Sequence, residues 1–164
     1  VLKDVFGFDD FRSGQAAAIE ALLAGRHVLS VMPTGAGKSL CYQIPALVLG
    51  GLTLVVSPLV ALMQDQVAAL RLAGVAADTI NSSFERGVNI AAWRRVASGQ
   101  TRLLYLAPER LMTERMLDAL AKLDPPDFTR ITQGVDLVVP VAVTDRIGTE
   151  VVHADITTLV TPSR

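Results

Sequence analysis

The residues of this sequence best suited to chemistry form a short loop of small residues between an apolar run and a helix-like segment. Residues 28–41 read VLSVMPTGAGKSLC. Gly35 and Gly37 allow the backbone to curl so that successive N–H groups point at one phosphate. The helix that follows would add the positive end of its dipole at the same place. Lys38 would contact the β- and γ-phosphates of a nucleotide, and the Ser39 hydroxyl would be a ligand of Mg²⁺. The pattern therefore predicts binding of ATP or GTP.

This loop departs at one position from the strict phosphate-loop pattern. That pattern has glycine six residues before the lysine, and this chain has Met32 there. The alternative is an ordinary strand–turn–helix junction with chance glycines. The order glycine, lysine, serine between a strand and a helix favours the phosphate loop.

The elements that must position this loop alternate between strands and helices up to residue 122. The predicted helices cover residues 11–25, 39–49, 59–73, 90–98 and 109–123, and the predicted strands cover residues 27–32, 52–56, 75–80 and 103–106. Strands that alternate with helices of this length indicate an α/β fold, in which helices cover both faces of a parallel sheet. A phosphate loop after one of the strands makes this a P-loop nucleotide-binding fold.

Composition and charge narrow the class of protein. The 164 residues are 51% hydrophobic and 19% charged, which excludes disorder of the whole chain. The net charge of −1 does not indicate a polycationic nucleic-acid binder, although a local basic patch is compatible with it. The single Cys41 excludes an internal disulfide framework and a multi-cysteine zinc site, so a reducing, cytoplasmic compartment is expected.

One uncharged stretch is long enough to cross a bilayer. It runs from Leu40 to Gln64, but Pro45, the pair Gly50–Gly51 and the pair Ser57–Pro58 divide it into short pieces. These pieces are typical of a helix end, a turn, a buried strand and a second turn. We therefore expect the interior of an α/β domain rather than a membrane segment.

The composition changes near residue 123. Alanine and leucine supply 38 of the first 122 residues but only 5 of the last 42, where valine, isoleucine and threonine supply 18. The formal charge changes from +2 to −3 between these two segments. Residues 135–144 and 149–160 are typical of a β-hairpin or of two edge strands. The sequence thus predicts a nucleotide-binding segment over residues 1–122 and a β-rich tail over residues 123–164.

Four sequence blocks resemble the RecQ family of superfamily-two DNA helicases. They are FGFDDFRSGQ at 6–15, VMPTGAGKSLCYQIPAL at 31–47, LVVSPLVALMQDQV at 54–67 and LLYLAPERL at 103–111. Together they cover about residues 1–122, the N-terminal part of that family's first RecA-like domain. The resemblance implies a RecA-like parallel sheet flanked by helices, and it implies ATP and Mg²⁺ as cofactors. It also implies DNA unwinding coupled to ATP hydrolysis, with single-stranded or forked DNA as the partner.

The resemblance also implies roles for individual residues. Phe8 would stack on adenine, Arg12 would lie against it, and Gln15 would hydrogen-bond its edge, whereas Phe6 and Phe11 would pack the first helix against the core. The cofactor-binding set is Phe8, Arg12, Gln15, Thr34, Gly35, Ala36, Gly37, Lys38 and Ser39, with Lys38 as the catalytic residue and Ser39 as the Mg²⁺ ligand.

The blocks at 54–67 and 103–111 resemble the family motifs that contact one DNA strand. Ser57, Gln64 and Arg110 are the candidates for contacts to phosphate or sugar, since their side chains donate hydrogen bonds without reading sequence. Helix capping and turn formation explain Ser57 equally well. The pair Arg94–Arg95 beside Trp93 is interpreted as a solvated helix face.

A group needed for ATP hydrolysis is missing from the sequence. Phosphoryl transfer needs an acid that holds the metal and a group that orients the attacking water, and the family takes both from a DEAH box. The sequence contains no Asp-Glu pair, and the apolar run Val138–Asp145 is a poor substitute because Pro140 interrupts it. Whether the chain is an enzyme is left open. The alternative is a truncated or fused, non-catalytic nucleotide-binding protein whose tail is an interaction hairpin.

Overall fold

A computed structural model of the chain describes residues 1–26, 28–30, 32–33, 35–123 and, for the backbone alone, 137–138. Seven helices and four strands lie in this part of the chain. The helices are α1 (Leu2–Phe6), α2 (Gln15–Leu23), α3 (Leu40–Leu49), α4 (Val60–Leu72), α5 (Arg86–Ala97), α6 (Pro108–Leu111) and α7 (Glu114–Ala121). The strands are β1 (Thr53–Val56), β2 (Ala77–Ile80), β3 (Leu103–Leu106) and β4 (Leu137–Val138).

The strands form one parallel sheet in the order β2-β3-β1-β4. Val56 of β1 lies opposite Leu106 of β3, and Ile80 of β2 lies opposite the same residue on the other side. The carboxyl ends of these three strands therefore meet at one edge of the sheet. This confirms the predicted α/β class and the predicted strands at 52–56, 75–80 and 103–106.

Helices cover both faces of the sheet, so every residue of β1, β2 and β3 is buried. Side chains alternate between the faces along each strand. The face under α3 and α4 contains Val55, Leu103 and Tyr105 together with Met63 and other helix residues. The opposite face, under α5 and α7, contains Leu54, Leu104 and Leu106 and residues of those two helices.

The predicted strand at residues 27–32 is wrong for its described residues. Val28–Ser30 and Met32 belong to no strand, and the side chain of Leu29 is 86% exposed. A strand forms only where a neighbour satisfies its backbone groups. Among the described residues β1 pairs with β3 and β4, and no strand lies beside residues 28–30. An apolar run alone does not supply a pairing partner.

The stretch from Leu40 to Gln64 is divided into α3, β1 and the start of α4, as an α/β interior requires. The helix predicted over residues 39–49 is observed as α3, and Pro45 lies buried inside it. None of the helices in the described ranges has the length and apolarity needed to cross a membrane.

Three further differences concern element boundaries. Helix α1 was not predicted, and the helix predicted over residues 109–123 is divided into α6 and α7. Thr113 causes this division, because its side chain accepts a hydrogen bond from the backbone N–H of Met116 and so caps α7. In the tail, β4 pairs in parallel with β1, and the remainder of the predicted hairpin lies outside the described residues.

Candidate functional site

The predicted phosphate loop presents several of its own backbone N–H groups at the start of α3. Gly35 and Gly37 have φ values of +80° and +73°, in the left-handed region that favours glycine. The N–H groups of Gly35, Gly37, Lys38 and Ser39 have no acceptor among the described residues. Because α3 begins directly afterwards at Leu40, its positive end lies at the same place. Unpaired N–H groups at a helix start form a binding site for an anion.

The Lys38 side chain lies against its own loop. Its Nζ donates hydrogen bonds to the carbonyl oxygens of Met32, at 2.9 Å, and Pro33, at 3.1 Å. The ammonium group thus lies at the mouth of the loop, on the same short segment as the unpaired N–H groups. A phosphate oxygen at this position would replace two carbonyl acceptors with a charged one.

Gln15, at the start of α2, braces the loop from behind. Its Nε2 donates to the carbonyl oxygens of Ala36 and Gly37, each at 3.0 Å. Its Oε1 accepts the backbone N–H of Arg12 at 2.9 Å, and the side chain is 1% exposed. Since the amide is directed at the loop, the predicted contact between Gln15 and adenine stays a prediction. The guanidinium of Arg12 donates to Gly35 O at 2.6 Å, which adds a second tie.

This brace explains why Gly37 has no side chain. A Cβ atom added there would lie 2.7 Å from Gln15 Nε2, well inside van der Waals contact. At Gly35 nothing lies within 4 Å of an added Cβ, so that glycine is required by its backbone angle alone.

A cleft of about 520 Å³ connects the loop with the first helices. Six of the predicted cofactor-binding residues line it, namely Phe8, Arg12, Gln15, Gly35, Gly37 and Ser39. Phe8 is 47% exposed, which leaves its ring accessible to a ligand. Thr34 lies outside the described residues.

The cleft also has a second wall that sequence reasoning missed. It is formed by Gln43 of α3 and by Asp65, Gln66, Ala69 and Leu70 of α4. Gln43 follows Ser39 by four residues on the same helical face, and this spacing could have indicated it. Nothing in the sequence indicated the α4 residues.

Of the two phenylalanines predicted to pack against the core, Phe6 does so and Phe11 does not. Phe6 packs against two of the three core clusters, as predicted. Phe11 is 40% exposed, so its predicted packing is wrong. The reason is that α2 begins only at Gln15, which leaves Phe11 in the irregular segment before the helix.

The donor set at the loop fits a nucleotide with Mg²⁺. Mg²⁺ is held in such sites by one or two protein oxygens, by water and by the phosphates themselves. The Ser39 side chain, partly buried in the cleft, supplies one such oxygen. No group of three or more His, Cys, Asp or Glu side chains within the described ranges could hold a metal ion independently of the phosphates.

Two predicted DNA-contacting residues lie at the carboxyl edge of the sheet. Ser57 follows β1 and Arg110 lies in α6, which follows β3, the neighbouring strand. The Ser57 hydroxyl is buried and accepts the N–H of Leu59 at 3.3 Å, a turn contact. The guanidinium of Arg110 is exposed and forms no hydrogen bond or ion pair with the described residues. Gln64 is half-buried on α4.

Four polar side chains, three of them buried and Gln66 half-buried, form a hydrogen-bonded group beside the cleft. Gln43 Nε2 donates to Gln66 Oε1 at 2.9 Å and to the Tyr105 hydroxyl at 3.4 Å. The Tyr42 hydroxyl donates to Gln66 Oε1 at 3.3 Å and lies 3.4 Å from the Tyr105 hydroxyl. Burial, together with the adjacent Tyr105, raises the pKa of Tyr42, and burial raises the pKa of Tyr105. Both hydroxyls are therefore protonated donors at neutral pH.

A second polar group surrounds the buried carboxylate of Asp78 in β2. Its carboxylate accepts hydrogen bonds from Arg71 at 2.5 Å, from Arg95 at 2.6 Å and from Thr101 at 2.6 Å. Burial raises the pKa of Asp78, but the hydrogen bonds from Arg95 and Thr101 and the charges of both arginines outweigh it and hold the pKa below its ordinary value. The prediction that Arg95 lies on a solvated helix face is therefore wrong, because its ion pair with Asp78 joins α5 to the sheet.

Comparisons with known proteins agree with this geometry. The sequence matches the DEAD/DEAH box helicase family over residues 12–139. It is 50% identical over 121 residues to the "ATP-dependent DNA helicase RecQ" of Haemophilus influenzae, covering 74% of this chain and 20% of that protein. It is 41% identical over 138 residues to the protein of the same name from Bacillus subtilis, covering 84% of this chain and 21% of that protein. The chain thus spans about a fifth of the length of these relatives.

A solved structure has a similar fold. It is described as the "Crystal structure of hypothetical ATP-dependent RNA helicase from Sulfolobus tokodaii". The match has a TM-score of 0.57 and 27% sequence identity, and it covers 71% of this chain and 34% of that one. The fold, the family match and the RecQ relatives show that the chain belongs to the DEAD/DEAH box helicase family and, within that family, is RecQ-like.

Proposed function

We propose that this chain is the ATP-binding part of a RecQ-like DNA helicase motor. In this proposal the loop around Gly35 and Gly37 holds the phosphates, Lys38 neutralises the β- and γ-phosphates, and Ser39 holds Mg²⁺. The nucleotide base lies in the cleft against Phe8 and Arg12. When bound, Mg²⁺ would neutralise phosphate charge, and the chain's own residues bind and orient the nucleotide.

The observation that carries this proposal is the set of loop N–H groups that have no acceptor among the residues described by the structure. Backbone donors without acceptors are costly unless a ligand or water satisfies them. Here they lie at the start of α3 and beside the Lys38 ammonium. A neutral or cationic ligand would gain nothing from this arrangement, whereas a polyphosphate would satisfy all of these groups.

Single-stranded DNA is the proposed second ligand. Gln64 and Arg110 are proposed to contact its backbone, with Ser57 shaping the turn between β1 and α4. Since the sequence holds no Asp-Glu pair, nucleotide binding without efficient hydrolysis is the expected behaviour of the chain itself. The same observation favours, as a second candidate, a non-catalytic nucleotide-binding protein with residues 123–164 as an interaction segment.

Titration with a fluorescent ATP analogue tests the proposal. Lys38→Ala should abolish nucleotide binding, because it removes the only side-chain cation on the loop. Lys122→Ala is the matched control, since Lys122 is an exposed lysine after α7, and it should bind as the wild type does. Equal affinity of Lys38→Ala and the wild type would refute the assignment of the loop. ATP turnover that rises with single-stranded DNA would in turn refute the non-catalytic candidate.

A further inference from the structure

The hydrogen-bonded group of Tyr42, Gln43, Gln66 and Tyr105 joins three segments that the proposed function assigns to different ligands. Tyr42 and Gln43 belong to α3, the helix that begins at the phosphate loop. Gln66 belongs to α4, two residues after Gln64. Tyr105 belongs to β3, which leads into α6 and Arg110.

The four side chains close into a ring of hydrogen bonds in which Gln43 acts as a donor and Gln66 as an acceptor. Gln43 uses both amide protons, one for Gln66 Oε1 and one for the Tyr105 oxygen. The Tyr42 hydroxyl donates to Gln66 Oε1, and it lies 3.4 Å from the Tyr105 hydroxyl, where either oxygen can be the donor. Gln66 Oε1 is thus the final acceptor of the ring, and Gln43 is its only amide donor.

The surroundings make this ring sensitive to movement. Tyr42 and Tyr105 are 8% and 1% exposed and lie in one apolar cluster with Met63 and Val67 of α4. In such surroundings a polar group that loses its partner costs much more than it does in water. A shift of α3 relative to α4 would therefore leave the buried hydroxyls of Tyr42 and Tyr105 without a partner in an apolar cluster.

One side of the ring is open to the nucleotide cleft. Gln43 and Gln66 both line that cleft, together with Ser39 on the preceding turn of α3. A nucleotide that moves α3 would therefore change the ring and, through it, the position of α4.

We propose that Gln66 is a positioning residue that couples nucleotide binding in the cleft to single-stranded DNA binding at the carboxyl edge of the sheet. This inference rests on the proposed function. Coupling between two sites is reciprocal, so DNA must change the affinity for nucleotide by the same factor as nucleotide changes the affinity for DNA.

The test measures the affinity for a fluorescent ATP analogue with Mg²⁺, without and with saturating oligothymidylate. The ratio of the two affinities should be about fivefold or more for the wild type, within the usual range of such coupling. Gln66→Met keeps the length of the side chain but removes the acceptor, and it should reduce the ratio to about one. A uniform loss of affinity cancels in this ratio, so a purely structural effect of the substitution would not change it.

The direction of the ring gives a sharper control. Gln66→Glu retains an acceptor oxygen and should keep most of the coupling. Gln43→Glu replaces the amide donor with a second acceptor and should abolish it. Gln100→Met, at an exposed glutamine after α5, should keep the wild-type ratio.

The outcomes separate the two levels of the proposal. A wild-type ratio near one, wild-type coupling in Gln66→Met, or equal ratios for the two glutamate variants would overturn the role of Gln66 and leave nucleotide binding intact. A wild-type chain that binds no nucleotide would overturn the proposed function and this inference with it. Urea unfolding of each variant identifies loss of the fold. If Gln66→Met does not fold, the coupling ratio of Gln66→Glu compared with that of Gln43→Glu tests the role of Gln66.

Discussion

Replacing Gly37 with alanine would place a methyl group against the amide that braces the phosphate loop. The added Cβ would lie 2.7 Å from Gln15 Nε2. Because Gln15 is 1% exposed and held by three hydrogen bonds, its amide can move away from the added methyl group only by breaking them. Gly35→Ala is the matched control, since nothing lies within 4 Å of a Cβ at that position.

The magnitude follows from two separable costs. Both glycines have φ near +75°, at +80° for Gly35 and +73° for Gly37, so alanine at either costs about 1–2 kcal/mol of backbone strain. At Gly37 the displaced Gln15 amide also loses its partners, and an unsatisfied buried polar group costs about 1–3 kcal/mol more. We therefore expect Gly37→Ala to lower the free energy of unfolding by about 2–5 kcal/mol and Gly35→Ala by about 1–2 kcal/mol.

Urea denaturation followed by circular dichroism measures both values. Gln15→Ala, combined with Gly37→Ala, removes the steric conflict, so the double variant should be about 2 kcal/mol more stable than the sum of the single losses predicts. Equal destabilisation by the two glycine variants, or additive losses in the double variant, would refute the brace between Gln15 and the loop.

Two further predictions concern charged residues. Asp78→Asn should lower the free energy of unfolding at neutral pH by about 2 kcal/mol, because it removes the buried carboxylate that pairs with two half-exposed arginines. Since the pKa of Asp78 is lower in the folded state, its contribution to the free energy of unfolding is complete above the ordinary carboxyl pKa of about 3.9. This contribution is lost as the pH falls through the folded value. A wild-type advantage in urea denaturation that persists unchanged at acidic pH would contradict this. Arg110→Ala should weaken single-stranded DNA binding equally for different sequences and reduce the slope of log affinity against log salt by about 0.7. Fluorescence anisotropy measures this slope, with Arg115→Ala as the control; an unchanged slope for Arg110→Ala would exclude a phosphate contact.

The features that could be predicted from the sequence are those encoded locally. The strands β1 and β3 are uninterrupted runs of apolar residues, LVV and LLYL, which are typical of strands buried on both faces. The phosphate loop was predictable because its glycines, lysine and serine are adjacent in sequence and act through backbone geometry. Such patterns need no knowledge of distant contacts.

The features that could not be predicted depend on pairs of distant residues. Gln15 braces carbonyl groups 21 and 22 residues away, and Arg95 pairs with a carboxylate 17 residues away. Neither spacing corresponds to a helix or strand period, so composition and periodicity do not indicate these contacts. The prediction of a strand was wrong at the described residues 28–30 and 32 for a related reason, because strand formation depends on a neighbour that the run itself does not encode.

The central claim is that four backbone N–H groups of the loop bind the phosphates of ATP. Amide NMR spectra recorded during titration with ATP and Mg²⁺ test this most directly. The account predicts that the signals of Gly35, Gly37, Lys38 and Ser39 move together and saturate, while that of Gly99, in the turn after α5, does not move. Loop signals that stay fixed while ATP binds, or movement of Gly99 as large as that of the loop, would contradict it.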